Sequence, residues 1–312
     1  MSAIQIQSVS KVIKGKKIID SLSLEVHKGE VFGLLGPNGA GKTTTIRMIV
    51  GLISMTEGDI KIAGSSIKTD FEKAISRIGA IIENPEMYKF LSGYQNLLHF
   101  SRMSKGISKK KIEEVVELVG LKNRIHEKVK TYSLGMRQRL GLAQCLLHDP
   151  DVLILDEPTN GLDPAGIREI RDHLRMLARE KNMAIIVSSH LLSEMEMMCD
   201  RIGIIQQGKL LNVQSVQEFV QSTNPTFELE VEPKEKAITI LKHSYPEGKV
   251  EEKEKAVTIL IEKKEIPNIV KKLVEKNVHI YGIKEKRRTL EESFLELTTN
   301  GEGSKYDQVS TK

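Results

Sequence analysis

The sequence predicts an α/β fold with an antiparallel β subdomain and a helical insertion, followed by a small α+β C-terminal domain. Three observations predict this fold. A glycine-rich loop lies between the short apolar run Val31–Leu35 and a helical run at residues 43–52. A continuous apolar run after Asp151 ends in two carboxylates, which is typical of a parallel strand buried on both faces. Residues 94–148 carry apolar side chains at helical spacing, which indicates a helical insertion in the core.

The glycine-rich loop has the residues and the setting of a phosphate-binding loop. Its sequence is GPNGAGKT, at residues 36–43, and it fits the pattern G-x-x-x-x-G-K-[ST] between a strand and a helix. The glycines allow backbone conformations that a Cβ would forbid, so that successive N–H groups turn inward on a polyphosphate. We expect Lys42 to reach the β- and γ-phosphates and the Thr43 hydroxyl to bind Mg²⁺. The nucleotide-binding residues predicted here are Gly36, Asn38, Gly39, Gly41, Lys42, Thr43 and Thr44. The core is therefore predicted to be a P-loop NTPase core that binds ATP and Mg²⁺.

The overall composition argues against several other classes of protein. The 47 basic and 42 acidic residues give a net charge of +5, which is mild for 312 residues and lacks the clustered stripes of a nucleic-acid binder. Cys145 and Cys199 stand apart from the neighbours that a disulfide framework or a zinc site needs, so a reducing compartment fits. We therefore expect no nucleic-acid partner and no metal other than Mg²⁺.

The sequence has no pattern of a signal peptide or of a membrane span. Residues 1–10 lack a basic segment followed by an apolar one, and no apolar run approaches the roughly 18 residues that cross a bilayer. We therefore expect a cytoplasmic protein that lies at the inner face of the cell membrane only through a partner.

The first domain is predicted to span residues 1–220. Residues 4–30 alternate apolar and polar side chains in short runs, which is typical of antiparallel strands that lead into the buried strand before the loop. The elements predicted after the loop are strands at 58–67 and 75–82, the helical insertion at about 84–150, the buried strand that ends at Asp156, a helix at 164–180, a strand at 184–188 and a hairpin at 206–209.

The second domain is predicted at residues 221–312, because a polar stretch at 220–225 breaks the pattern. Its predicted elements are strands at 227–231 and 256–261, an amphipathic helix at 266–276, a strand at 278–283 and a flexible end. The sequence leaves open whether this accessory domain regulates, dimerises or protects the core.

Asp156 and Glu157 close the second apolar strand, where Mg²⁺ and an attacking water would lie. Adjacent carboxylates at a strand end are costly unless a cation or hydrogen bonds compensate. We therefore predict that Asp156 holds Mg²⁺ and Glu157 polarises the water, the alternative being that the pair only caps the turn into Pro158. His190 ends the next strand, where a neutral imidazole could contact the γ-phosphate, the alternative being a structural histidine.

Five motifs together resemble an ABC transporter ATPase, in the order typical of that family. They are the P-loop, SLGMRQR at 133–139, LILDEPT at 153–159, GLDP at 161–164 and SSH at 188–190. The resemblance covers roughly residues 4–215. The segment LEESFLEL at 290–297 is also similar to the C-terminal segment of drug-exporter ATPases that pair with a separate permease.

The resemblance implies a homodimer in which each ATP lies between the P-loop of one cassette and the signature loop of the other. Ser133 and the Gly135 amide would bind the γ-phosphate, and Asp163 would cross the interface. Glu157 would act as general base, while His190 would hold the γ-phosphate and orient the water. The catalytic residues expected are Lys42, Glu157 and His190. ATP would close the dimer and hydrolysis would release it, which would drive a separate integral membrane permease.

The signature loop and position 83 depart from the usual pattern of the family. The signature reads Ser-Leu-Gly-Met in place of Ser-Gly-Gly-Gln, but it keeps Ser133 and Gly135, which predicts a working, altered loop. Glu83 stands where most members place a glutamine that senses Mg²⁺ and the water. The predicted metal ligands are Thr43, Asp156 and Glu83. These departures resemble the subgroup that exports bacitracin, lantibiotics and similar peptide antibiotics, the alternative being drift in a generic exporter.

We therefore predict the ATP-binding and ATP-hydrolysing subunit of a two-component exporter, which powers the export of a drug or peptide antibiotic. The alternative is a soluble ABC ATPase that acts on nucleic acid or the ribosome. The short spacing from Lys42 to Ser133 leaves no room for the long coiled coil of chromosome or repair ATPases, and the sequence has one cassette where the translation-factor type has two.

Overall fold

A computed structural model describes residues 2–104, 106–189, 191–221, 226–245, 249–252 and 256–286, together with Leu290, Glu291 and Phe294. The chain forms two compact units, Met1–Ser215 and Val216–Lys312. The predicted boundary after residue 220 lies inside the first helix of the second unit, where Phe219 is buried. Within the described part of the chain, no helix is both long and apolar enough to cross a membrane.

The first unit contains two β-sheets and the helices that connect their strands. Its elements in chain order are β1 (Ser2–Ile13), β2 (Lys16–His27), β3 (Val31–Leu35), α1 (Lys42–Ile49), β4 (Glu57–Ile62), β5 (Ser65–Ser66), α2 (Phe71–Ile75), β6 (Ile78–Ile81), α3 (Gly93–Ser101), α4 (Lys109–Leu118), α5 (Leu134–Leu146), β7 (Val152–Asp156), α6 (Pro164–Lys181), β8 (Ala184–Ser188), α7 (Leu192–Met198), β9 (Arg201–Gln206) and β10 (Lys209–Ser215).

The larger sheet has the order β10-β9-β3-β8-β7-β6, and the smaller one has the order β2-β1-β4-β5. Strands β9, β3, β8, β7 and β6 are parallel, whereas β10 and the smaller sheet pair antiparallel. Every residue of β3, β7 and β8 is buried, as the continuous apolar runs predict. The carboxyl ends of these strands lie together, and both Leu34 and Asp156 are in register with Ser188. The predicted α/β core and antiparallel subdomain are confirmed.

One apolar cluster holds the helix after the P-loop against both sheets. It includes Ile4 and Ile19 of the smaller sheet, Ile46 of α1, and Ile154 and Ile186 of the larger sheet. Each of these side chains is almost wholly removed from water, which stabilises the fold by roughly 2 kcal/mol per side chain. The start of α1 is therefore fixed relative to the strand ends that surround it.

Two of the predicted strands are shorter than the sequence suggests. The strand predicted at 58–67 ends at Ile62, because Ala63 and Gly64 both have positive φ and turn the chain into β5. The strand predicted at 75–82 begins only at Ile78, and Ile75 ends α2. A pattern of alternating apolar residues cannot distinguish a single helical turn from the start of a strand.

The helical insertion is confirmed as α3, α4 and α5. Ser92 and Gln95 form a reciprocal capping box at the start of α3. Ser108 caps α4 by accepting a hydrogen bond from the Lys111 amide. Ile112, Val115 and Val116 of α4 are buried, as the helical spacing predicts.

The second unit has a β-α-β-β-α-β order after a short helix. Its elements are α8 (Val216–Gln221), β11 (Thr226–Glu232), α9 (Lys234–Ser244), β12 (Val250–Glu252), β13 (Val257–Leu260), α10 (Ile266–Glu275) and β14 (His279–Lys286). The sheet order β12-β13-β11-β14 is that of a ferredoxin-like domain. The sequence-based prediction missed α9, whose β-branched Ile238, Thr239 and Ile240 have low helix propensity. Burial of Ala237, Ile238 and Leu241 on one side of α9 offsets that propensity.

Candidate functional site

The P-loop backbone curls at its three predicted glycines. Gly36, Gly39 and Gly41 have φ of 156°, 79° and 112°. A Cβ on Gly36 would lie 2.2 Å from the Ile205 carbonyl oxygen, so the backbone must pass too close for any side chain there. Among the described residues, no side chain caps the start of α1. The first amides of α1 therefore have the orientation and partial charge that bind phosphate.

Lys42 folds back over the P-loop. Its Nζ donates to the carbonyl oxygens of Gly36 at 2.6 Å and of Pro37 at 3.3 Å. Burial lowers the pKa of Lys42, while the nearby carboxylates of Glu157 and Asp156 partly oppose that effect. A partly desolvated ammonium interacts more strongly with a phosphate than an exposed one does.

The turn at Gly208, between β9 and β10, supports the P-loop from outside. The Gly208 amide donates to the Ala40 carbonyl at 2.9 Å, and the Gly208 carbonyl accepts from the Asp20 amide at 2.9 Å. Gly208 has φ of 77°, and a Cβ there would lie 2.1 Å from the Ile18 carbonyl oxygen. This predicted hairpin is confirmed, and it joins the P-loop to the antiparallel sheet.

We expect Gly208→Ala to destabilise the fold by about 2–4 kcal/mol, because the methyl group must displace the Ile18 carbonyl in a backbone already at positive φ. Gly15→Ala is the matched control, since Gly15 also has φ of 77° but a Cβ there meets no atom within 4 Å. Urea unfolding of both variants measures the difference. Equal losses of stability in the two variants would contradict the proposed support of the P-loop.

Ser188 holds the Asp156 carboxylate and the Glu157 backbone at the end of β7. Its hydroxyl donates a short hydrogen bond to the buried carboxylate of Asp156 and accepts one from the Glu157 amide at 3.2 Å. Glu157 adopts a left-handed backbone with φ of 53°, which is uncommon outside glycine and typical of functional sites. Sequence reasoning did not assign this role to Ser188, because only the pairing of β7 with β8 places it opposite Asp156.

Glu83 lies at the same edge of the sheet and is held by an arginine that sequence reasoning missed. Arg47 Nη2 lies 2.8 Å from Glu83 Oε1. Arg47 follows Thr43 by four positions on α1, so the two side chains share one face of that helix. Glu83 also has positive φ, at 69°. The carboxylate is therefore directed toward α1, the helix that begins at the P-loop.

The oxygen groups around the P-loop are of the type that Mg²⁺ prefers. The Thr43 hydroxyl begins α1 and the Asp156 carboxylate ends β7, and both are hard oxygen donors. In the described part of the chain, no three His, Cys, Asp or Glu side chains form a metal-binding cluster. Mg²⁺ is usually held by one or two protein oxygens together with substrate phosphates. This donor set therefore fits a Mg²⁺ that arrives with a nucleotide.

The signature loop begins a different helix. Ser133 caps α5, where its Oγ accepts a hydrogen bond from the Met136 amide at 3.2 Å. None of the hydrogen bonds found among the described residues joins Ser133 to the P-loop. The hydroxyl proton of Ser133 and the Gly135 amide, in the first turn of α5, have the geometry that suits an anion.

Asp163 caps α6, and its segment lies beside the signature loop. Its Oδ1 accepts from the Gly166 amide at 2.9 Å, and Pro164 begins the helix. A Cβ on Gly161 would lie 3.2 Å from a methyl group of Leu134. The structure thus brings Gly161, two residues before Asp163, against Leu134 of the signature loop, while the predicted role of Asp163 across a dimer interface stays a prediction.

His190 lies outside the described residues, so its predicted contact with the γ-phosphate stays a prediction. The neighbouring Ser189 is buried, and its Oγ accepts from the Leu191 amide at 3.0 Å.

Both cysteines are buried away from the site. Burial raises the pKa of the Cys145 thiol to about 12 and raises that of Cys199 as well. A raised pKa leaves very little thiolate at pH 8, and the thiolate is the reactive form. We expect a disulfide reagent such as DTNB to label neither thiol in the folded protein and both thiols in urea. Rapid labelling of the native protein would contradict this burial.

Comparisons with known proteins agree on one family. A family model described as "ABC transporter" matches residues 19–160. The chain is 59% identical over 297 residues to "Uncharacterized ABC transporter ATP-binding protein YhcH" of Bacillus subtilis (strain 168), with 95% of this chain and 96% of that protein covered. It is 43% identical over 243 residues to "Bacitracin transport ATP-binding protein BcrA" of Bacillus licheniformis, with 78% and 79% covered.

A solved structure has the same fold as the first unit. It is described as "Structure of ATP binding subunit of ABC transporter", and it is 26% identical with a TM-score of 0.63. The match covers 71% of this chain and 93% of that chain. The predicted P-loop NTPase fold is therefore confirmed by comparison with a known structure.

Proposed function

Because this chain belongs to the family of ABC transporter ATP-binding proteins, we propose that it powers the export of a drug or peptide antibiotic through a separate membrane permease. As a member of that family it binds and hydrolyses ATP. The observation that carries the ATP-hydrolysing part of the proposal is the convergence of Lys42, Asp156 and Glu157 at one edge of the sheet, beside the amides of α1. The geometry is that of a site for hydrolysis of a nucleoside triphosphate.

In the proposed reaction each side chain has one role. When ATP binds, Lys42 Nζ gives up its hydrogen bonds to the Gly36 and Pro37 carbonyls and binds the β- and γ-phosphates. The backbone amides of α1 stabilise the negative charge of the same phosphates. Glu157 accepts a proton from the water that attacks the γ-phosphorus. Thr43 and Asp156 would hold Mg²⁺, which would neutralise phosphate charge when bound.

We propose that two copies of the chain enclose each nucleotide. Ser133 and Gly135 begin α5, and Lys42 begins α1, with no hydrogen bond found between the two loops in the described residues. A second copy supplies the signature loop to the first copy's γ-phosphate. The Ser133 oxygen already accepts from Met136, so its proton remains to donate to a phosphate oxygen. Hydrolysis removes that contact and releases the dimer.

The proposed permease docks on an aromatic surface that follows Glu83. The Tyr88 and Phe90 rings meet edge to face at 5.9 Å and remain 44% and 69% exposed. The buried Asn96 fixes this segment. Its side-chain Oδ1 accepts from the Tyr88 backbone amide, and its Nδ2 donates to the Tyr88 carbonyl oxygen. Met87, in the same segment, is buried, so the exposed part of this surface is formed by Tyr88 and Phe90. Rigid, exposed aromatic side chains are enriched at protein interfaces.

The proposed cargo rests on the relatives and on two residues of the site. The "Bacitracin transport ATP-binding protein BcrA" aligns over most of both chains. The altered signature around Ser133 and the carboxylate at Glu83 resemble the subgroup that exports peptide antibiotics. Export places the chain at the inner face of the cell membrane, bound to its permease.

The test is antibiotic resistance in a sensitive host. The chain is expressed with the permease from a neighbouring reading frame that encodes about six apolar spans of membrane length. We expect the minimal inhibitory concentration of bacitracin or a lantibiotic to rise only when both proteins are present. Glu157→Gln at equal expression is the control, because it keeps the fold and removes the general base.

Two results would contradict the proposal. One is unchanged sensitivity to every drug and peptide antibiotic tried, with both proteins at the membrane. The other is recovery of the chain with ribosomes or nucleic acid in place of the permease, which would favour the alternative class of ABC ATPase.

A further inference from the structure

The Arg47–Glu83 ion pair joins the P-loop helix to the segment after β6. Arg47 Nη2 lies 2.8 Å from Glu83 Oε1, and the two side chains are 40% and 67% exposed. Exposed ion pairs add little to the stability of the fold, so stabilisation does not account for this pair. Its position suggests an electrostatic reason.

The pair lies close to the predicted metal-binding hydroxyl. Thr43 and Arg47 are four residues apart on α1, which corresponds to roughly 6 Å along the helix axis. Glu83 follows β6, and β6 is the parallel neighbour of β7, which ends at Asp156. The Glu83 carboxylate therefore lies at the carboxyl-end edge of the sheet, beside α1.

Carboxylates follow both β6 and β7 at this edge of the sheet. Asp156 and Glu157 act on Lys42, the cation of the P-loop, while Glu83 pairs with Arg47. A triphosphate adds further negative charge, and an unpaired Glu83 would repel it. A neutral glutamine at position 83 would not create this problem.

We propose that Arg47 is the positioning residue for Glu83, and that its guanidinium holds this carboxylate against α1 and so keeps it from moving toward the bound triphosphate and repelling it. The proposal rests on the nucleotide site proposed above and not on the cargo. Arg47 lies in the last turn of α1, and its backbone carbonyl bonds Leu52 and Ile53, so side-chain substitutions leave those backbone bonds intact.

The test is a double-mutant cycle on the purified full-length chain. Arg47→Gln, Glu83→Gln and the double variant are compared with the parent for affinity toward a fluorescent ATP analogue, with Mg²⁺ and with EDTA. We expect Arg47→Gln to weaken binding roughly fivefold, and more at low salt, as a partly screened charge at this range predicts. In the Glu83→Gln background the same change should have almost no effect.

Two controls separate charge placement from loss of structure. Arg47→Lys keeps the positive charge and should restore most of the affinity. Arg124→Gln removes a matched exposed arginine, which pairs with Glu127 at 2.9 Å on the helical insertion, and should bind ATP like the parent. Thermal unfolding of every variant shows whether the fold is retained.

Equal weakening by Arg47→Gln in both backgrounds would overturn the proposal, because Arg47 would then act on the nucleotide without Glu83. Unchanged affinity in the Arg47→Gln variant would overturn it as well. A parent chain that does not bind ATP would overturn the nucleotide site itself. A failed export assay concerns the cargo alone and leaves this coupling intact.

Discussion

Glu157→Gln is expected to lower ATP hydrolysis by at least about a hundredfold while ATP still binds, because a positioned general base contributes roughly 10²–10⁴ to the rate. Glutamine has nearly the shape of glutamate but cannot take the proton of the attacking water. The Glu157 backbone amide donates to the hydroxyl and carbonyl oxygens of Ser188, and glutamine keeps this amide, so the left-handed turn at this residue remains supported. Phosphate release by the purified variant and its parent measures the effect.

The same variant tests the proposed enclosure of ATP by two copies. If Glu157 is the base and Ser133 binds the partner's nucleotide, then blocked hydrolysis should trap a dimer that forms only in ATP. Size-exclusion chromatography of parent and variant, with ATP and with ADP, detects it. A variant that stays monomeric in ATP and hydrolyses as fast as its parent would show that the roles given to Glu157 and Ser133 are wrong.

Lys42→Ala should weaken ATP binding by roughly 10- to 100-fold, because each lost hydrogen bond to a charged phosphate is worth about 1.5–3 kcal/mol. Hydrolysis should fall at least as far. Titration with a fluorescent ATP analogue measures the binding, and phosphate release measures the rate.

Stability distinguishes this effect from damage to the fold. Burial lowers the pKa of Lys42, which means that the charged side chain is less favourable in the folded protein than in the unfolded chain. Its removal should therefore change the free energy of unfolding by no more than about 1 kcal/mol. Lys110→Ala, at an exposed position on α4, is the control and should leave binding unchanged. If Lys42→Ala were largely unfolded and this accounted for its weak binding of ATP, the direct role of Lys42 in binding phosphate would be contradicted.

The predictions from sequence were most accurate where residues close together in the chain determine both the structure and its chemistry. The bounds of Val31–Leu35 and Ala184–Ser188 are those of the structure, because continuous apolar runs flanked by turn residues fit buried parallel strands. The P-loop is recognisable because its glycines and its lysine act within eight consecutive residues. The hairpin at Gly208 was predicted for the same reason.

The sequence predicted less well where packing overrides propensity. The helix α9 contains three consecutive β-branched residues, and only the burial of one side against its own sheet makes it a helix. Likewise, the residues around Ile75 predict a strand, but Ile75 is the last residue of a short helix that buries Ala74.

By itself the sequence determined the class of the protein, the identity of its phosphate-binding loop and the placement of Asp156 and Glu157 at a strand end. Only the tertiary structure decided which side chains hold that site in place. Arg47 meets Glu83 across 36 positions, and Ser188 meets Asp156 across 32. Such pairs leave no local signature, because the parallel sheet brings distant strand ends together and no spacing along the chain encodes that meeting.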